Sequence, residues 1–280
     1  MLYQTPVSGQ LNYYAPEKII YFANYLFNNG EYLRAAGEYQ RYAFALNNDL
    51  LSDSLLLKIG NCFQLGGDGE MARHTFRQII EQHPGSSLAS LAHYQIASGM
   101  YEAGDYLESN AYIHKQLTQL PDGEIRLKMR TLSGVNYLKS RDWKIASNTF
   151  SALLAETPQP PMDSLLTELH ALSQAGLYLS YKSQIVAGMA SAIIPGSGKI
   201  YAGRINDGLY SFFVVGLFSW QAYDGFEKDG LRSVKGWIYG AMSSAFYLGN
   251  VYGSIVSVKL YNQKLEQELL KKIELHISWK

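Results

Sequence analysis

The residues that first invite a chemical reading are Gly196 to Lys199, GSGK, because glycines ahead of a lysine can cradle a phosphate with backbone N–H groups. The spacing fails. Ile200 stands where a hydroxyl would have to reach a metal ion, Ile193 takes the place of the first glycine, and no buried strand leads into the segment. The six histidines, His74, His83, His93, His114, His170 and His276, include no pair at metal-ligand spacing on one helix face. Cys62 is the single cysteine, which excludes an intrachain disulfide framework and a multi-cysteine zinc site. It falls beside a packing position and reads as a small buried hydrophobe rather than a nucleophile. No G-x-S-x-G and no persuasive pair of acids completes a catalytic set. The expectation is a protein without catalytic residues, metal or cofactor.

Composition narrows the class further. The chain has 280 residues, with 24 Lys+Arg against 24 Asp+Glu. A net charge of zero argues against nucleic acid as a partner, which calls for a basic excess. With 47% hydrophobic residues the chain is not disordered. The opening MLYQTPVSGQ has no basic or apolar stretch of a signal peptide, so the protein is either not exported or numbered after a removed leader.

The elements that organise the first half repeat at an offset of 37 residues. Ala23, Gly60, Ala97 and Gly134 share one position. Gly30, Gly67, Gly104 and Arg141 follow seven residues later, then Tyr32, Gly69, Tyr106 and Trp143. Next come Ala35, Ala72, Ser109 and Ala146, and then Tyr39, Phe76, Ile113 and Phe150. Three units end near Pro84, Pro121 and Pro158. The spacing predicts a helix hairpin used four times. Small residues let its two helices approach, glycine ends the first helix in a left-handed conformation, and the large residue plugs the next hairpin. This pattern resembles the tetratricopeptide repeat family over residues 16–158, with Arg141 and Ser109 as departures from its glycine and alanine. The segment FRQIIEQHPGSSLASLAHYQIASGMYEAGDYLESN is similar to tetratricopeptide proteins of the bacterial envelope.

The resemblance implies a concave face, lined by the first helix of each unit, that holds a protein partner as an extended peptide. Its outward positions here are Asn24, Phe27, Asn61, Gln64, Tyr94, Ser98, Tyr101, Lys128, Val135 and Lys139. Asparagines there would bond a peptide backbone and aromatics would hold its side chains. Ile20 and Leu57 stand where a carboxylate clamp would need basic residues. Residues 163–180 continue a helical period through Leu165, Leu169, Leu172 and Ala175, as a cap would.

After Lys182 the chain turns apolar and rich in glycine. Gly236 to Val258 is 23 residues without a charge, Gly208 to Tyr223 is 16, and Ile185 to Ile194 is ten. The first is long enough to span a bilayer; the second and third read as a short span and a re-entrant or buried helix. Gly236, Gly240 and Ser244, and again Gly249, Gly253 and Ser257, recur every four residues, the spacing that brings helices together in lipid. Trp220, Trp237, Tyr201, Tyr210, Tyr239 and Tyr261 stand near segment ends as interfacial anchors. Asn250 is the polar exception within the best span.

The stretch IPGSGKIYAGRINDG is similar to the opening of two-span families such as the TM2 domain, over residues 183–262. Pro195, Gly196, Gly198, Tyr201, Gly203 and Arg204 would form a tight interfacial turn. From Lys259 onward Leu265, Leu269, Ile273 and Ile277 mark an amphipathic helix. Six basic residues on the solenoid side of a hairpin against three in its loop favour a cytoplasmic solenoid, whereas the envelope resemblance favours the periplasm.

The expected architecture is all-α. It comprises an extension (1–15), four tetratricopeptide-type hairpins forming a solenoid (16–158), a capping helix (159–182), a hydrophobic helical hairpin membrane module (183–262) and an amphipathic C-terminal helix (263–280). The expected function is a non-catalytic, membrane-tethered adaptor in the bacterial cell envelope, binding a protein partner by the solenoid and lipid or a membrane protein by the module. The alternatives are a soluble interaction module with a hydrophobic partner surface, or a subunit of a small channel or transporter.

Overall fold

The protein is described by a computed structural model over residues 15–46, 52–156 and 162–276. The described residues are helical and contain no strand. They belong to two compact units, 1–173 and 174–280.

The first unit is built from antiparallel helix pairs. These are α1 (Pro16–Asn28) with α2 (Tyr32–Ala45), α3 (Asp53–Leu65) with α4 (Gly69–Gln82), α5 (Ser87–Glu102) with α6 (Tyr106–Leu117), and α7 (Glu124–Lys139) with α8 (Trp143–Glu156). The turn residue of each pair is left-handed, with φ of 78° at Gly30, 83° at Gly67, 85° at Gly104 and 66° at Arg141. The next N–H then reaches back to a carbonyl of the first helix: Glu31 to Leu26, Asp68 to Phe63, Asp105 to Met100 and Asp142 to Tyr137, at 2.8–2.9 Å. This closure satisfies helix-end carbonyls and needs a residue at positive φ. Arg141 alone among the described non-glycine residues adopts it, at a cost of about 1 kcal/mol. Hydroxyl and carboxylate caps start three of the helices: Ser52 accepts from Leu55 N–H, Asp68 from Met71 N–H and Ser86 from Leu88 N–H.

The pairs interlock by size. A Cβ on Gly60 would sit 2.4 Å from the Phe76 ring, and one on Gly134 would sit 2.6 Å from the Phe150 ring. The two pairs with alanine at this position, Ala23 and Ala97, carry Tyr39 and Ile113 instead of phenylalanine. The large residue thus packs first against the small residue of its own hairpin. Phe76 also reaches the next hairpin, sharing a cluster with Ala92 and Ile96, as the plug reading anticipated. Ser109 replaces alanine without leaving a buried hydroxyl unpaired: it donates to Ala97 O at 2.9 Å and accepts from Asn136 Nδ2 at 2.8 Å.

Helix α9 (Met162–Leu177) follows, and Pro158 lies outside the described residues. Its buried line runs through Leu166, Leu169 and Ser173. The anticipated line through Leu165, Leu172 and Ala175 is corrected: the first two are half-buried and Ala175 is exposed.

The second unit comprises α10 (Gln184–Ile193), the five-residue α11 (Ser197–Tyr201), α12 (Ile205–Asp229), a single 3₁₀ turn at Gly230–Arg232, and α13 (Val234–His276). The glycines of the IPGSGK stretch are where backbones touch. A Cβ on Gly196 would lie 1.9 Å from Gly208 O, and one on Gly198 would lie 2.0 Å from Ala187 O. Gly196 and Gly203 also have φ of 89° and 90°. The side chain of Asn262 clamps Lys182, accepting from its N–H and donating to its C=O, both at 2.9 Å.

Three expectations for this unit need correction. First, no helix among the described residues is long and apolar enough to cross a membrane. Length is not what fails, since α12 has 25 residues and α13 has 43. Glycine, serine, tyrosine, tryptophan and Asn250 dilute the apolar residues. Second, the C-terminal segment is no separate helix: α13 runs unbroken from Val234 to His276. Third, the four-residue stripe is only partly the packing line: Gly236 and Ser257 are buried and Gly240 and Gly253 half-buried. Ser244 is exposed, and a Cβ on Gly249 would meet nothing within 4 Å. Four residues overshoot a helical turn by about 40°, so such a stripe winds off the contact face. Gly236, Ser243, Asn250 and Ser257, all buried, recur every seven, which holds them to one face within about 20° per step, with Ser254 and Val258 buried beside them.

Candidate functional site

The first helices of the hairpins bring the candidate peptide-binding residues into play, and most of them are already engaged. Asn24 Oδ1 accepts from Tyr39 Oη at 2.7 Å, and Asn61 Oδ1 accepts from Gln95 Nε2 at 3.1 Å. Each asparagine keeps its donor Nδ2. Gln64 Nε2 donates to Glu102 at 3.1 Å, while its buried Oε1 has no partner. Phe27 stands edge-on to Tyr32, and Tyr101 is tilted against Tyr106, each ring covering its hairpin turn. Tyr94 and Tyr101 pack on the cluster of Ala97, Ile113, Met129 and Leu132. Ser98 and Lys139 are half-buried. Lys128 is half-buried and pairs with Glu124 at 2.6 Å.

Val135 is not on an open face; it is 0% exposed. Thr131, Leu132, Ser133, Gly134 and Asn136 are buried with it, so α7 is enclosed around its circumference. The expected outward position of Val135 is therefore corrected: the fourth hairpin offers no open surface there. A cavity of about 340 Å³ opens between the second and third pairs, lined by Gln64, Phe76, Gln95 and Met100. Its charged lining is acidic on balance, with Glu70, Glu102 and Asp105 against Arg73.

Nucleophilic and metal chemistry find little footing in this unit. Burial pushes the Cys62 thiol up to about 11, against an opposing pull from Lys58, which keeps it protonated and unreactive at neutral pH. His93 Nδ1 lies 2.7 Å from Tyr112 Oη, and burial lowers the imidazole pKa, favouring the neutral ring. Among the described residues no three His, Cys, Asp or Glu side chains converge as a metal site would require.

The second unit distributes its side chains in the opposite sense. Its interior carries hydroxyls: Ser191 and Ser254 share a hydrogen bond at 2.7 Å, as do Ser219 and Ser243. Ser191 also accepts from Gly198 N–H at 2.9 Å, and Ser257 accepts from Arg204 Nη1 at 3.3 Å. The outside carries large apolar residues. Phe213 and Leu248 are each 67% exposed, Trp220 66% and Ile193 79%.

The interfacial-turn residues are drawn together around α11. Lys182 Nζ donates to Tyr201 O at 2.8 Å and stands 4.0 Å over the Tyr261 ring. Arg204 pairs with Asp207 at 2.6 Å. Pro195 is half-buried between α10 and Gly196. Trp237 Nε1 donates to Leu231 O at 3.0 Å, and Tyr239 stacks on Phe218. At the α12–α13 turn, hydrogen bonds from Lys228 and Lys235 hold the half-buried Asp224 carboxyl down at about 2. Of the predicted small-residue contacts, Gly236 lies against the Phe226 ring, Gly240 near Ala222, and Gly253 beneath Lys199.

Lys199, Ser211 and Asn250 form a cluster that spacing alone did not reveal. Asn250 was visible in the sequence only as a polar residue out of place.

Comparison with known proteins agrees with the hairpin geometry. Residues 54–86 match the family model described as Tetratricopeptide repeat, which spans the second hairpin and the turn after it. The C-terminal part of a TPR repeat-containing protein from Cytophaga hutchinsonii, known from its crystal structure, is similar at 15% identity. The match covers 88% of each chain with a TM-score of 0.48. No similar curated protein was found. The paired helices, with the repeat match lying in the second pair, make the first unit a tetratricopeptide-like helical solenoid.

Proposed function

We propose that this chain is a non-catalytic scaffold whose solenoid holds a protein partner while its second unit is seated in a lipid bilayer, as in a bacterial cell envelope. The observation that carries the reading is the inverted second unit, with hydroxyls and glycines inside and Phe213, Trp220 and Leu248 outside. Water would penalise so much exposed apolar surface, each large side chain by about 1.5–3 kcal/mol relative to burial. Lipid removes that penalty, and in lipid close packing of small residues with interhelical hydrogen bonds becomes the main source of association. On the solenoid, the open segment near Gln64, with the donors of Asn24 and Asn61, supports binding of an extended peptide, and its acidic lining favours one carrying basic side chains.

Alkaline carbonate extraction of membranes containing the full chain tests the tether. Retention in the pellet is the expected result; release into the supernatant would remove the bilayer from the reading.

The low overall apolarity of α12 and α13 favours a second reading, in which a hydrophobic protein partner covers the same surface. A monodisperse complex purified without detergent would select it.

A further inference from the structure

In the second unit a cavity of about 180 Å³ is lined by Lys199, Tyr210, Ser211, Val214, Val215, Ala245, Phe246, Gly249 and Asn250. Its polar groups are incompletely satisfied. Lys199 Nζ donates to Ser211 Oγ at 2.7 Å, and that hydroxyl in turn donates to the Asp207 backbone carbonyl at 2.8 Å. An ammonium has three donors, so two N–H groups of Lys199 stay uncommitted. The nearby Asp207 carboxylate is taken by Arg204, and no described carboxylate pairs with Lys199. Asn250 is 3% exposed, and neither its Nδ2 nor its Oδ1 has a hydrogen-bond partner. A buried amide in that condition costs about 1–3 kcal/mol.

The unsatisfied groups specify their ligand. Uncommitted N–H groups on Lys199 and Asn250 ask for an anionic oxygen. The Asn250 carbonyl asks for a donor, which a fully ionised anion lacks and a hydroxyl supplies. The remaining walls, Val214, Val215, Ala245 and Phe246, are apolar, and Phe213 and Leu248 extend that character over the outer surface. We propose that this cavity binds a hydroxyl-bearing phosphate ester, the head group of an anionic glycerophospholipid whose acyl chains follow the apolar exterior. Basic pockets between helices are the usual means by which proteins in membranes select such lipids. The inference rests on the bilayer reading above and adds to it a choice of lipid.

The test uses the full chain purified in a mild non-ionic detergent, with lipids retained per chain counted by native mass spectrometry. Flotation with vesicles runs in parallel. The probes are dioleoyl phosphatidylglycerol, dioleoyl phosphatidylcholine and soluble glycerol 3-phosphate. The expected result is one phosphatidylglycerol per chain, held at least about tenfold more tightly than phosphatidylcholine, a preference that Lys199→Met or Asn250→Leu abolishes. Asn250→Leu guards against misfolding as the cause, because its side chain has no protein partner to lose and its thermal midpoint in lipid-free detergent should not fall.

Equal retention of the two lipids, with flotation intact, overturns the head-group proposal and leaves the bilayer reading standing. Failure to float with either lipid overturns the bilayer reading itself. Glycerol 3-phosphate binding as tightly as phosphatidylglycerol overturns the lipid assignment in favour of a soluble phosphate ester.

Discussion

The two units solve the same problem, bringing helices together, with opposite materials. In the solenoid the helix contacts are made by size-matched apolar pairs, Gly60 with Phe76 and Gly134 with Phe150, and the largest side chains, among them Phe76, Phe150 and Leu132, lie inside. In the second unit backbones meet at Gly196, Gly198 and Gly208, serines bond across the interior, and the large side chains face out. The lesson is that burial of apolar area stabilises the first unit, whereas close approach and hydrogen bonding hold the second. The two should therefore respond differently to the same kinds of substitution.

The largest separation is expected from Gly196→Ala. A methyl group there would lie 1.9 Å from a backbone oxygen at a φ of 89°, so both space and conformation forbid it. The expected loss exceeds about 3 kcal/mol and is confined to the second unit. Limited proteolysis should show cleavage within 184–232 while the solenoid stays resistant. Cleavage spreading through the solenoid would erase the distinction.

A charge placed on each exterior gives the next effect. Leu107 in α6 and Leu217 in α12 are both exposed, at 72% and 52%. Leu107→Lys should change solenoid stability by less than about 0.5 kcal/mol, as ordinary surface substitutions do. Leu217→Lys should remove about 1.5–3 kcal/mol of apolar contact with lipid and reduce recovery in the membrane fraction. Equal behaviour of the two variants would mean that water bathes both surfaces.

The smallest effect sharpens the account of the solenoid. Gly60→Ala should destabilise it by about 1–3 kcal/mol, because the new methyl meets the Phe76 ring. Adding Phe76→Ile should recover part of the loss, reproducing the combination already present at Ala97 and Ile113. Chemical denaturation of the three proteins checks the sign of the coupling.

The repeats were legible because each position does one mechanical task four times. Gly30, Gly67 and Gly104 announce left-handed turns, and the shared register places even Arg141 in that conformation. The enclosure of Val135 was not legible, since its place in the repeat is that of an outward residue and nothing local records what covers it. The glycine spacing in α13 named the correct kind of contact and part of the line: Gly236 and Gly253 make contacts while Ser244 and Gly249 wind outward, since only seven-residue intervals keep to one face. Lys199 and Asn250 are 51 positions apart, so their meeting depends on how α11 lies against α12 and α13, which no periodicity encodes.

The unbroken course of α13 has a mechanical outcome. At 43 residues it is about 64 Å of continuous hydrogen-bonded rod. Its uncharged part, with Asn250 at the cavity, and its charged part beyond Val258 are one axle. Lys259, Lys264 and Lys271 are thus fixed on the same rigid rod as Asn250, each at a set rotation and distance from the cavity.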